Sequence, residues 1–175
     1  MLDNVQEVLD EFKAYVIQQA RANLKKGLNR KHPIYASGKL SRSIDGFVKK
    51  YKNSISIYFE MEDYGFYQDQ GVSGTKKKYD TPYSYKSKMP PPSKLDKWIV
   101  RKGIAPRKQG GQFVSRKSLQ FLIARSIYTN GIKPSLFFTK PFEAAFKKLP
   151  DELIEKYGLD IEQLFESITK DNFKK

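Results

Sequence analysis

Tyr64-Gly65-Phe66-Tyr67-Gln68-Asp69-Gln70-Gly71-Val72-Ser73-Gly74-Thr75 is the stretch on which the fold turns. Tyr64, Phe66 and Tyr67 suit a pleated, half-buried surface, so the segment reads as a strand running into a glycine-rich loop. Gly71 and Gly74 there allow backbone angles that a side chain would penalise. Beyond them the character of the chain changes. Residues 66–140 carry 16 Lys+Arg against 3 Asp+Glu, a net of +13, while residues 1–65 amount to +3 and residues 141–175 to −2. Nearly all of the formal +14 therefore lies in the middle of the chain, which indicates one strongly charged surface rather than diffuse basicity.

A length of 175 residues suits one domain with an appended tail, long enough to hide roughly 70% of its unfolded surface. With 39% hydrophobic and 30% charged residues, a modest core with extended arms is expected, and 14% aromatic residues argue against a wholly disordered chain. The absence of cysteine excludes disulfides and thiolate metal sites and is compatible with synthesis in the cytoplasm. The acidic start (Asp3, Glu7, Asp10, Glu11) is unlike a secretory signal, and no apolar run reaches the roughly 20 residues of a membrane span. A protein with no membrane association is expected.

Upstream of the opening segment, Val5, Val8, Leu9, Phe12, Val16, Ile17, Ala20 and Leu24 follow helical spacing and predict a helix over 3–26. Asp3 or Asn4 is its expected cap, and Lys25, Lys26 and Gly27 its end. A connector follows at 28–36, then a short helix near 37–44 with Ser37 as cap and Leu40 and Ile44 facing inward. Phe47–Tyr51 and Ser54–Glu60 alternate as a hairpin joined near Lys52-Asn53.

Downstream, residues 71–92 form a long loop ending in Met89-Pro90-Pro91-Pro92, since three successive prolines cannot enter a helix interior or a central strand. Ser93–Lys102 is a short helix with Ser93 as cap and Leu95, Trp98 and Ile99 on one face, ended by Gly103. A second basic loop occupies 103–114. Ser115–Thr129 is the expected central helix, with Leu119, Leu122, Ile123, Ser126 and Ile127 inward. Residues 135–139, with Phe137 and Phe138, form a fourth strand, and Thr139 caps a helix that begins with Pro141 near its first turn. Short helices at 151–157 and 160–169 complete the chain. The expected fold is α+β: an antiparallel sheet of about four strands near 46–51, 54–61, 64–70 and 135–139, under helices 3–26 and 115–129. The expected domain covers 1–149, followed by a helical extension at 150–175. Phe66, Trp98, Phe121, Ile123 and Phe138 are assigned to the core.

Ser-Gly-Lys-Leu-Ser-Arg-Ser-Ile (37–44), Tyr-Gly-Phe-Tyr-Gln-Asp-Gln-Gly-Val-Ser-Gly-Thr (64–75), Lys-Met-Pro-Pro (88–91) and Lys-Trp-Ile (97–99) occur in that order. Phe-Leu-Ile-Ala-Arg-Ser-Ile-Tyr (121–128) and Gly-Ile-Lys-Pro-Ser-Leu-Phe-Phe-Thr-Lys-Pro-Phe (131–142) follow. Together, over residues 3–148, they resemble the tail-completion, or head–tail joining, proteins of long-tailed bacteriophages. The resemblance implies a small α+β virion subunit, made in the host cytoplasm. Such subunits form a ring, a hexamer, between the head connector or portal side and the tail tube or terminator, with double-stranded DNA passing through. It implies no catalytic residue and no cofactor.

The residues themselves offer little for catalysis. His32 is the one histidine, placed beside a proline, with no nucleophile-elbow motif for it to serve. A single histidine without cysteine cannot build an ordinary zinc site. Gly71-Val72-Ser73-Gly74-Thr75-Lys76 lacks the Gly-Lys-Ser/Thr order of a phosphate-binding loop. Glu60, Glu62, Asp63 and Asp69 could in principle hold magnesium, but a solvated strand end explains them more simply. No metal is expected.

Binding is the stronger expectation. Lys76, Lys77, Lys78, Lys86 and Lys88 interleave with Tyr79, Tyr83 and Tyr85, and Arg101, Lys102, Arg107, Lys108, Arg116 and Lys117 form a second cluster. These would contact acidic neighbours in a ring, with the tyrosines as anchors, or phosphates and bases of DNA passing through it. Loops 71–92 and 103–114 are expected to serve as inter-subunit arms. The alternative is a non-specific nucleic-acid-binding protein.

Overall fold

A computed structural model describes residues 3–27, 37–51, 54–107 and 109–172, with the backbone alone from 163 onward. His32, the 28–36 connector, the Lys52-Asn53 turn and Lys108 lie outside the described residues.

The first helix, α1 (Asp3–Lys26), has the bounds its periodicity predicts, and Gly27 ends it at φ 70°. Val5, Val8, Leu9, Phe12, Val16, Ala20 and Leu24 are buried along one stripe. Its N-terminus is satisfied from a distant point of the chain. Asp160, itself buried, accepts hydrogen bonds from the Val5 N–H at 3.2 Å, the Asn4 N–H at 3.3 Å and Asn4 Nδ2 at 2.9 Å. A carboxylate so placed satisfies donors that the helix leaves unpaired and complements its dipole.

Helix α2 (Lys39–Ser43) buries Leu40 and is followed by the fully buried Ile44, as expected; the Lys39 N–H donates to Ser37 Oγ at 3.4 Å. Strands β1 (Asp45–Lys50) and β2 (Ile55–Glu60) form the antiparallel hairpin in the register Phe47↔Tyr58, Val48↔Ile57. Alternation directs Val48, Ile55, Ile57 and Phe59 onto α1, while Phe47 stacks on Tyr58 on the other side at 5.0 Å. The Tyr51 and Tyr58 hydroxyls lie 3.0 Å apart, and that hydrogen bond is the main reason the Tyr51 phenol is raised above its ordinary pKa.

Two expected strands are absent among the described residues, whose sheet has two strands and not four. Tyr64–Gln70 is a helix, α3. It buries Gly65 and Asp69, an i,i+4 pair on one helical face, and leaves Tyr64, Phe66 and Tyr67 exposed. Aromatic strand propensity is outweighed here by tertiary anchoring at the helix C-terminus. There the Gln68 and Asp69 carbonyls accept from the Ser135 N–H at 3.2 and 3.0 Å, and Asp69 also accepts from Leu136 at 3.0 Å. Gly71 leaves the helix at φ 78°.

Residues 135–138 likewise form no strand. Ser135 is fully buried and hooked onto α3, and Leu136 adopts φ 53°, which breaks an extended run. A 3-10 turn (Pro92–Leu95) replaces the expected Ser93 cap and leads into α4 (Asp96–Arg101), which Gly103 follows at φ 61°. Helix α5 (Arg116–Asn130) does start on the Ser115 cap, whose hydroxyl accepts from the Ser118 N–H at 3.2 Å. Helix α6 (Thr139–Phe146) is preceded by Phe138 at the cap position, not Thr139. The two short C-terminal helices are one, α7 (Leu149–Asn172), which runs through Gly158. A helix-interior glycine costs only about 1 kcal/mol relative to alanine, too little to break it.

Two compact units divide the chain. The first combines Met1–Asn23, Leu40–Glu62 and Phe137–Lys175. Its core joins Val5, Val8, Leu9, Phe12, Val16 and Leu149 to the inward hairpin residues and to Phe138, Phe142, Ala145 and Leu153. Phe12, Phe59, Phe138 and Phe142 pack mainly edge to face. The second unit is Leu24–Lys39 with Asp63–Leu136. Leu149, Leu153 and Asp160 of α7 all belong to the packing of the first unit.

Candidate functional site

The second unit holds every residue of both basic clusters that the structure describes. Its framework is α5 with the 71–86 segment fastened to its C-terminal end. Val72 and Ile132 exchange N–H···O bonds at 2.9 and 2.8 Å, Ser73 bridges Ser84 by donating to the Tyr83 carbonyl and accepting from the Tyr85 N–H, and the Thr75, Lys76 and Lys77 N–H groups donate to the Tyr128 and Thr129 carbonyls. The last carbonyls of a helix are otherwise unsatisfied, so this loop supplies their donors.

The loop is thus built in, not free. The buried Ser73 hydroxyl donates to the Tyr79 carbonyl at 3.1 Å and accepts from the Tyr79 N–H at 3.0 Å. Thr81 Oγ1 donates to the Gly71 carbonyl at 3.0 Å, and the Tyr128 hydroxyl to the Lys86 carbonyl at 2.9 Å. Changing Ser73 to alanine strands both Tyr79 groups. The expected loss is about 2 kcal/mol, read as a lower urea midpoint at unchanged slope.

Tyr79, Tyr83 and Tyr85 are half-buried. Tyr83 meets Tyr67 edge-on at 4.6 Å, Tyr85 meets Tyr128 at 6.2 Å, and Lys77 Nζ lies 5.5 Å from the Tyr79 ring centroid. Burial raises the Tyr85 phenol above its ordinary pKa. The tyrosines therefore hold the loop together, and the surrounding Lys76, Lys77, Lys78, Lys86 and Lys88 face solvent. Lys78 Nζ donates back to the Gly74 carbonyl at 3.0 Å.

The second cluster belongs to the opposite end of α5. Arg116 and Lys117 occupy its first turn, where the helix dipole disfavours cations. Asp96 of α4 partly offsets this, with Oδ1 at 3.8 Å from Arg116 Nε while accepting from Gln120 Nε2 at 2.7 Å. Arg101 and Lys102 end α4 and are exposed. Between them and α5 the chain doubles back: Arg107 bridges Phe113, its guanidinium 4.3 Å from the ring centroid, and the Val114 N–H donates to the Pro106 carbonyl at 3.0 Å. The two clusters are not one patch. Lys76 and Lys77 lie at the C-terminal end of α5 and Arg116 and Lys117 in its first turn, about 20 Å apart at 1.5 Å per residue.

Several apolar side chains expected in the core are on the surface. Phe66, Trp98 and Phe121 are exposed, as are Leu122 and Ser126; Ile123 and Phe138 are half-buried. At 100° per residue, Leu119, Ile123 and Ile127 share one side of α5, and Phe121, Leu122 and Arg125 the other. Leu119 is buried, whereas Phe121 and Leu122 are 48% and 54% exposed. The signal was present in the sequence, because apolar residues on two sides of one helix cannot all face one core. Val100 and Phe113 are exposed as well.

Among the described residues, no group of three or more His, Asp or Glu side chains is placed to hold a metal, and no helix is long and apolar enough to cross a membrane. Comparison with family models, curated proteins and solved structures finds no match.

Proposed function

We propose that this chain is a structural subunit of a tailed-phage neck, assembling as a ring that joins the head connector to the tail tube and lets DNA pass. The observation that carries the proposal is the combination on the second unit of outward Trp98, Val100, Phe113, Phe121 and Leu122 with exposed arginines. Aromatic residues and arginine are the residue types enriched in protein interfaces. The sequential order of the segments at 37–44, 64–75, 88–91, 97–99, 121–128 and 131–142 supports the same reading. The doubled-back 103–114 segment fits a contact arm; the 71–86 part of the other loop contributes a preformed basic surface instead. Docking requires no catalytic residue and no cofactor.

A second reading, non-specific nucleic-acid binding, draws on the exposed lysines at 76–78, 86 and 88. Light scattering on the protein alone and with a short DNA duplex, at low and moderate salt, separates the two. A discrete ring, or a monomer indifferent to DNA, is the expected result. A monomer that binds the duplex tightly and releases it steeply as salt rises overturns the neck reading.

A further inference from the structure

Two outward faces of this chain complement each other in charge while both being apolar. The first is on α7, whose sequence carries 7 Asp+Glu against 2 Lys. Leu149, Leu153 and Asp160 turn toward the first unit's core, while Ile154 is 73% exposed and Tyr157 and Leu159 are also outward. At 100° per residue Asp151, Glu155, Gly158 and Glu162 share the outward side with Ile154. Gly158 leaves open space where a side chain would stand, so another backbone can approach closely.

The second face is on α4 and α5, which together carry 5 Lys+Arg against Asp96 alone. Phe121 and Leu122 project outward, with Lys117 and Arg125 exposed on the same helix. Helix α5 has no acidic residue in its first turn, so Arg116 and Lys117 sit against its dipole, whereas α7 opens with Asp151 and Glu152. An amphipathic acidic helix on a basic apolar face is a recurrent mode of helix recognition.

We propose that the outward face of α7 in one copy docks on the α4–α5 face of a second copy, with Ile154 against Phe121 and Leu122 and with Glu155 paired to Arg125. Because the two surfaces differ, the contact is head-to-tail, the kind that forms a ring where its rotation closes and a filament where it does not. The proposal rests on the ring reading above and names its contact.

A charge-swap cycle on the full chain tests it, with self-association followed by sedimentation from micromolar to submillimolar concentration. Arg125→Glu and Glu155→Arg are each expected to weaken association at least about tenfold, and the double variant to recover to within about threefold of the original. Leu122→Ser tests the apolar half and is expected to weaken association without a fall in melting temperature. Association unchanged by the single reversals overturns this pairing and leaves the ring reading standing. Singles that weaken association with no recovery in the double also overturn it. So does a chain that never associates, or an effect confined to melting temperature, which would place α7 on its own α5. The neck reading is decided separately, by the response to the DNA duplex.

Discussion

Gly131→Ala is expected to lower the melting temperature by on the order of 10 °C. Gly131 follows α5 at φ 73° and ψ −167°, a region essentially reserved for glycine, where a residue with a side chain costs about 1–3 kcal/mol. A Cβ there would also run into the Val72 carbonyl oxygen and lie 2.5 Å from the Gly74 amide nitrogen. Both obstacles are backbone, held by the paired Val72–Ile132 hydrogen bonds, so neither can swing aside. Overpacking of this kind adds about 1–3 kcal/mol. The sum, about 2–6 kcal/mol, converts at about 2–4 °C per kcal/mol for a chain of this size. Gly110 supplies the control, since a Cβ there meets only open space and Gly110→Ala is expected to change stability by less than about 0.5 kcal/mol. Calorimetry on both variants checks the result; equal melting temperatures mean that the 71–75 segment does not close onto the end of α5.

Phe12→Ala is the second large effect, and it falls on the other unit. Phe12 is buried between Phe59 of the hairpin and Phe142 of α6, at centroid separations of 6.3 and 5.6 Å. Truncating a buried phenylalanine costs about 3–5 kcal/mol through lost transfer energy and the cavity left behind. That is a large share of the roughly 5–15 kcal/mol that holds a domain folded. Phe121→Ala removes the same ring from an exposed site and is expected to cost under about 1 kcal/mol. Denaturant midpoints for the two variants measure the contrast, and hydrogen exchange should show the Phe12 effect in α1, the hairpin and α6 before α5. Similar costs for the two would mean that Phe121 is buried in solution.

The contrast between these two phenylalanines also shows what the sequence could convey. Phe12 lies on a long, cleanly periodic stripe with acidic residues at one end and Lys25-Lys26-Gly27 at the other, and α1 was legible to its bounds. The hairpin was legible because Ile55, Ile57 and Phe59 alternate with polar or half-exposed neighbours. At Tyr64–Gln70 aromatic content suggests a strand, while the segment is a helix whose buried residues are Gly65 and Asp69, two residues with no apolar signature. Leu136, a non-glycine residue at positive φ, likewise carries no local mark of the turn it makes. A single core for α5 would turn Phe121 and Leu122 inward, but apolar residues stand on both its sides and these two are exposed. The basic residues are all visible in the sequence, but what places Lys76 and Lys77 at one end of α5 is backbone pairing with Tyr128 and Thr129, far along the chain. Asp160 at the start of α1 could not have been found locally, since its partners are more than 150 residues away in the sequence.

That last contact bears on the order in which the molecule can take shape during synthesis. Helix α1 emerges from the ribosome early, yet its first turn is completed by Asp160 and its apolar stripe by Phe142, Leu149 and Leu153. The second unit, nearly continuous in sequence from Asp63 to Leu136, emerges whole before those partners are made. Domains generally fold as units while the chain is elongating. The interior of the chain can therefore settle first, while α1 and the hairpin wait with their apolar faces open, as targets for chaperones, until α6 and α7 arrive to close them.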